Sequence, residues 1–366
     1  MNIPFANPQA QFNSYRDEIE KSILNVVRGN KYILGDQLQL LEDEFASFIG
    51  TKYSIGVANG TDAIEISLKA LNIGTGDEVI TVSHTAVATV AAIEAANATP
   101  ILIDINEEDY ILDPNLISNS ITSKTKAIIL VHLYGQSGNI ELIKKICESN
   151  NIYLIEDASQ AHGAFFGEKR LGNHGIIGTF SCYPTKNLGA IGDAGLITTN
   201  DEEIAKNIRK IREYGWEERY ISSIKGRNSR LDEIQAAILR IKLKNLDKDN
   251  NKRKKIANLY NQELNGDFSK PFILPNRDHV YHLYVIRTKL RDELKSFLIN
   301  QGIYTGIHYP VPIHLQKAYE KKINLGSKLN ITEKVSKEII SLPIYPEIPI
   351  SDVKKVIKFV NKFFKC

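Results

Sequence analysis

The chain has 366 residues, 43% of them hydrophobic, enough to bury a large core and to form two domains. A net charge of +3, from 46 basic and 43 acidic residues, gives no whole-chain case for a nucleic-acid or membrane partner. Cys147, Cys182 and Cys366 are few and lack metal-ligand spacing, so neither a disulfide framework nor a zinc site is expected, and a reducing compartment is.

No signal-peptide apolar stretch opens the chain and no uninterrupted apolar span is long enough to cross a bilayer, which makes the cytoplasm the expected location. Residues 2–50 read as an N-terminal arm followed by a helix, with Leu38, Leu41, Phe45 and Phe48 at helical spacing. Alternating units follow. Strands are expected at 53–57, 78–82, 100–104, 127–132 and 152–155, and helices at 61–71, 87–96 and 140–149. Such alternation predicts a mostly parallel sheet covered by helices.

Three strand ends carry candidate chemistry. Asn59-Gly60-Thr61-Asp62 opens a helix, where glycine allows close backbone approach and free N–H groups suit a phosphate. A helix dipole contributes only about 0.3–1 kcal/mol at an exposed site, so hydroxyls from Thr61 and Ser181 would have to assist. Without a ligand the same turn is an ordinary capped helix. At the second strand end, Asp157 terminates the apolar run 152–155. In open α/β sheets the ligand crevice lies there, and a carboxylate can pair with a protonated pyridine nitrogen. An N-cap or turn aspartate is the alternative.

The third is the β-prone run 176–183, which Pro184 ends by lacking an N–H, with glycines at 189, 192 and 195 beyond it. Lys186 is thereby placed on a tight, partly desolvated loop, where burial disfavours the ammonium form as a Schiff-base lysine requires. By itself such a lysine also reads as a solvated side chain.

Farther on, a helix is expected over 202–214, and a long helix from Asp232 carries Ile234, Ala237, Ile238, Ile241 and Leu243 on its apolar side. The basic run 252–255 lacks interleaved aromatics and reads as a solvated helix face, with no nucleic-acid partner. Short strands such as 281–287 alternate with helices such as 291–300. The segment from Tyr304 to Gln316 is dense in His and Tyr between stiffening prolines.

Asn59-Gly60-Thr61-Asp62-Ala63, Glu156-Asp157-Ala158-Ser159-Gln160-Ala161-His162-Gly163, Tyr183-Pro184-Thr185-Lys186-Asn187-Leu188-Gly189, Gly192-Asp193-Ala194-Gly195 and Asn228-Ser229-Arg230-Leu231-Asp232-Glu233-Ile234-Gln235 occur in an order and spacing that resemble the DegT/StrS family of nucleotide-sugar aminotransferases. The resemblance runs from about Tyr32 to about Tyr345. It implies a pyridoxal-phosphate-dependent transferase of fold type I, an α/β protein with a mostly parallel sheet in a large domain (1–240, including the N-terminal arm) and a smaller α/β domain (241–366). It implies further that Lys186 carries pyridoxal 5'-phosphate as a Schiff base, that Asp157 meets the ring nitrogen and that Gln160 approaches the ring hydroxyl. Gly60, Thr61 and Ser181 fall on the phosphate side, and no metal is expected.

Asn228 matches an asparagine that reaches the cofactor phosphate of the neighbouring subunit, which implies an isologous homodimer with shared sites. Ala86 departs from the family, which generally has an aromatic residue stacking on the ring there; His84, two residues away, is assigned that role, with a buried loop histidine as the alternative. Tyr183, His308 and Tyr309 are the substrate-side candidates. The stretch from Tyr214 to Tyr220, with Gly226-Arg227-Asn228-Ser229-Arg230 after it, resembles the branch that aminates C3 of dTDP-linked 3-keto-6-deoxyhexoses, with glutamate or a similar amino donor. Amination at C4 and a non-catalytic cofactor-binding regulator are the alternatives. Sugar dehydratases on this fold have histidine where this chain has Lys186, which argues against that activity.

Overall fold

The computed structural model describes residues 2–320 and 322–365, so Cys366 lies outside the described residues. Its centre is an eight-stranded sheet in the order Tyr53–Val57, Gly195–Thr199, Ile177–Ser181, Tyr153–Asp157, Thr125–Val131, Glu78–Val82, Thr99–Ile103, Asn324–Leu325. Gly195–Thr199 runs antiparallel to both neighbours and every other pairing is parallel, as the alternating sequence pattern predicts. The inner strands are continuous apolar runs because both their faces are covered: Ile80, Ile128, Ile129 and Ile155 have no exposed surface.

Because the strands run the same way, their carboxyl ends meet at one edge. Asp157 pairs with Val131 on one side and Thr179 on the other. Gly195, at the start of the antiparallel strand, faces Val57 and Ser181. A Cβ at Gly195 would lie 2.3 Å from the carbonyl oxygen of Asn59, so only glycine lets the strand begin against that turn. Asn59 Oδ1 accepts from the N–H of Asp62 at 2.8 Å and starts the helix Gly60–Ala70 at this edge.

The N-terminal region is more helical than an arm followed by one helix. Pro8–Ser14 and Arg16–Arg28 precede the expected helix, here Asp36–Ile49, in which Leu38, Leu41 and Phe45 are buried and Phe48 is half-buried. Arg16–Arg28 carries Ile19, Ile23, Val26 and Val27 at helical spacing, of which only Ile19 and Val26 are buried. Ile19 packs with Tyr15 against Ile238 of the long helix.

That helix, Glu233–Glu263, has 31 residues and a length of about 45 Å. Its first half contributes Ala236, Leu239, Leu243 and Leu246 to the core around the sheet, and its second half contributes Ile256, Ala257 and Tyr260 to a separate core. Residues 240 and 241 therefore sit inside one helix. The second core is closed by the antiparallel pair Tyr284–Arg287 and Ile339–Leu342 with the helices Arg291–Asn300 and Ile350–Phe363. Ile3 belongs to this core as well, bridged to Ile303, while Asn324–Leu325 crosses back to the edge of the large sheet. The basic run is not wholly solvated. Arg253 is buried and its guanidinium donates to the carbonyls of Tyr281, His282 and Ile344.

Candidate active site

A cavity of about 340 Å³ opens at the carboxyl edge of the sheet. Gly60, Thr61, Asp157, Gln160, Ser181, Tyr183, Lys186, His308 and Tyr309 all line it, so segments far apart in sequence converge on one space. Thr85, Ala86, Ser159, Asp193 and His282 are also on the wall. An open groove along Val87, Val311 and Leu315 adjoins the cavity and shares Thr85, Ala86, Ala88 and Tyr309 with it.

Asp157 is buried at the end of its strand. Its Oδ2 accepts from Thr89 Oγ1 at 3.1 Å and its Oδ1 from the N–H of Ser159 at 3.2 Å. The preceding residue, Glu156, points the other way along the pleat and gathers the loop behind the strand: it accepts from the N–H groups of Gly172, His174 and Gly175 and lies 3.0 Å from His132 Nε2. Burial by itself would raise the Glu156 pKa, but the His132 hydrogen bond and charge, His174 and the Gly172 N–H outweigh it and hold the carboxyl at about 2.

Lys186 sits just after Pro184, on a turn closed by its own N–H to the carbonyl of Tyr183 at 2.8 Å. Its side chain is half-buried, and burial pushes the amine down to about 8 against the opposing pull of Asp157 and Cys182. A neutral amine is therefore accessible near physiological pH. His308, lowered to about 4 by burial and by Lys186, and His282, driven well below its usual value by burial, Lys186, Arg253 and its histidine neighbours, stay uncharged. Tyr309 is raised to about 12, chiefly by burial, and remains a phenol.

His84 is not among the lining residues. It is buried behind the wall, its ring edge-on to Tyr110 and Tyr134 and its Nε2 2.8 Å from the Tyr134 hydroxyl. This placement does not fit the expected stacking role; the strand turn aims residue 84 inward and presents Ala86 and Ala88 to the cavity instead. Asn228 also lies outside the cavity, exposed and paired through its backbone with Glu213. Sequence reasoning did not select Thr89 or His282. The former stands in the first turn of the helix Val87–Ala95 with no motif around it, and His282 precedes an apolar strand whose approach to Lys186 is purely tertiary.

Over residues 13–361 the chain matches the DegT/DnrJ/EryC1/StrS aminotransferase family. The chain belongs to this family. Among relatives, a dTDP-3-amino-3,6-dideoxy-alpha-D-galactopyranose transaminase of Aneurinibacillus thermoaerophilus is 44% identical, with 99% of each chain covered. A pleiotropic regulatory protein of Geobacillus stearothermophilus is 41% identical, covering 100% of this chain and 99% of the relative. The crystal structure of S. venezuelae DesV in complex with a ketimine intermediate superposes with a TM-score of 0.97 at 39% identity, over 100% of this chain and 99% of that one.

Pyridoxal phosphate is the cofactor of DegT/DnrJ/EryC1/StrS aminotransferases. The residues present fit it: an amine and a carboxylate face one cavity, and a capped helix start lies beside the hydroxyls of Thr61 and Ser181. A Cβ at Gly60 would stand 2.5 Å from Ser181 Cβ, so the glycine keeps this cradle open. Among the described residues no His, Cys, Asp or Glu cluster is placed to hold a metal ion, and no helix is long and apolar enough to cross a membrane.

Proposed function

We propose that this aminotransferase converts a dTDP-linked 3-keto-6-deoxyhexose to the 3-amino sugar, taking the amino group from glutamate. The observation that carries this reading is the Lys186 amine, lowered to about 8, sharing one cavity with the Asp157 carboxylate. The 44% identical relative named for a dTDP-3-amino sugar supports position C3, and the groove beside the cavity offers room for a substrate larger than the reacting sugar ring.

In this reading Asp157, held by Thr89 and Ser159, pairs with the ring nitrogen of the cofactor, Gln160 faces its ring hydroxyl, and Gly60, Thr61 and Ser181 hold its phosphate. The bound cofactor supplies an electron sink for the carbanion left when a proton departs from carbon. Lys186 Nζ would carry that proton between Cα of the amino donor and C4′ of the cofactor, and in the second half-reaction between C4′ and the reacting carbon of the sugar, a sequence that implies ping-pong kinetics. Tyr183, His308 and Tyr309 form the substrate wall. Asn228, exposed outside its own cavity, reaches the site of a second subunit in an isologous homodimer. We place the reaction in the cytoplasm, in keeping with the free, buried thiols of Cys147 and Cys182.

A regulatory reading is favoured only by the names of relatives, the Geobacillus pleiotropic regulatory protein and a sensory transduction protein of Saccharopolyspora erythraea. One experiment separates the readings. The absorbance spectrum of purified protein is recorded before and after glutamate, followed by 3-keto and 4-keto dTDP sugars. Conversion to the amine form by glutamate and its reversal by the 3-keto sugar is the expected result. Reversal by the 4-keto sugar alone would move the reaction to C4, and a cofactor-loaded protein inert to every donor and sugar would favour regulation.

A further inference from the structure

Gln160 and Tyr309 reach the cavity from distant parts of the chain, yet a closed ring of hydrogen bonds joins them through a residue that does not line the cavity. Gln160 Nε2 donates to the Tyr309 hydroxyl at 3.1 Å, and the N–H of Tyr134 donates to Gln160 Oε1 at 2.8 Å. The Tyr134 hydroxyl donates to the carbonyl of His308, whose peptide leads directly into Tyr309 and closes the ring. The Tyr134 carbonyl in turn accepts from the N–H of Leu283 at 3.2 Å, next to His282 of the cavity wall.

The protons in this network can be counted. A phenol has one, and the His308 carbonyl has none to offer, so the Tyr134 proton is committed to that carbonyl. The phenol oxygen, 2.8 Å from His84 Nε2, must then accept, and Nε2 carries the imidazole proton. His84 Nδ1, buried without a partner, is left as the unprotonated nitrogen. Burial lowers the His84 pKa to about 4, which agrees with a neutral ring. Tyr134 itself is 2% exposed and held at φ 63°, a left-handed conformation that a tyrosine keeps only where its surroundings over-determine it.

We propose that Tyr134 is a positioning residue that fixes Gln160, on the cofactor side, and Tyr309, on the substrate side, as one unit, with His84 setting the direction of its phenol. The proposal rests on the cofactor and sugar assignment of the cavity made above. A change at Tyr309 is transmitted to the cofactor through Gln160, and a change at Tyr134 is felt on both sides.

Tyr134→Phe tests this, because it keeps the ring and the N–H to Gln160 while removing the link to His308 and His84. The KM for the keto sugar is expected to rise about tenfold, and the Kd of pyridoxal phosphate for the apo-protein severalfold. Tyr309→Phe is expected to weaken cofactor binding in the native background and to weaken it less in the Tyr134→Phe background. A Tyr134 that serves stability alone would lower the melting temperature and leave the Tyr309→Phe effect equal in both backgrounds, which overturns the proposal. Should Tyr134→Phe not fold, His84→Phe removes the donor to the phenol, and the same comparison of the Tyr309→Phe effect is made against it. The cofactor titration needs no sugar, so failure to turn over any sugar counts against the proposed substrate, while equal effects in the titration count against Tyr134.

Discussion

Asn187 ties the segment that carries Lys186 to the long helix: its Nδ2 donates to Asn250 Oδ1 at 2.8 Å and to the carbonyl of Val280 at 3.2 Å. With both amide protons given away, its Oδ1 accepts from His282 Nδ1 at 3.2 Å, which leaves Nε2 of that histidine as the unprotonated nitrogen. Asn250 passes the connection on by donating to the carbonyl of His162 at 2.8 Å. The lysine therefore occupies a turn clamped to the middle of the long helix and to the segment 280–282.

Asn187→Leu is expected to lower stability by about 1–3 kcal/mol, since it leaves buried partners unpaired. It should also reduce kcat for the glutamate half-reaction with little change in the KM for glutamate. Denaturant unfolding and single-turnover absorbance measure the two effects; an unchanged kcat would show that Pro184 and the strand alone position Lys186.

Lys186 makes stability depend on pH. Its folded pKa, about 8, lies below the ordinary 10.5, so below pH 8 the folded apo-protein must protonate a partly buried amine that water would solvate better. That cost, on the order of 3–4 kcal/mol at most, vanishes as pH rises from 8 to 10.5. Lys186→Met apo-protein should be more stable than the native protein at pH 7, with the gap closing toward pH 10.5. Urea melts of both proteins across this range decide it, and a gap independent of pH would refute the shift.

Glu156 works in the opposite sense. Its carboxyl is held at about 2 against an ordinary 4.5, so its contribution is fully present above pH 4.5 and is lost as pH falls through 2. Glu156→Ala strands three N–H groups and His132 in the interior and is expected to cost about 3–5 kcal/mol near neutrality. The difference from the native protein should shrink on acidification. Hydrogen exchange at residues 172–175 should rise sharply in the variant; unaltered protection there would mean that other contacts hold the loop.

The shared-site reading is tested by complementation. Lys186→Ala and Asn228→Ala homodimers are each expected to lose most activity. Mixed under conditions of subunit exchange, they should recover part of it, because one site of the hybrid carries neither change. No recovery after exchange has been demonstrated by mass spectrometry would place Asn228 in its own subunit's chemistry or outside it altogether.

Much of this protein is determined by its sequence read alone. Apolar runs at strand length, separated by helical periods, specify the parallel sheet because each segment's pattern is local. Residues that end such strands, Asp157 and Ser181 among them, fall together at one edge for the same reason: parallel strands share a direction. The position of Lys186 follows from Pro184, which ends pairing just before it. Tertiary packing alone decides the rest. Whether His84 or Ala86 faces the cavity depends on how one turn rotates against Tyr134, a partner 50 positions away. The contact of His282 with Asn187, beside Lys186, spans 95 positions, and the ring through Gln160, Tyr134 and Tyr309 joins residues 26 to 174 positions apart. No periodicity records such contacts, because a hydrogen bond between distant segments constrains the geometry of both and the composition of neither.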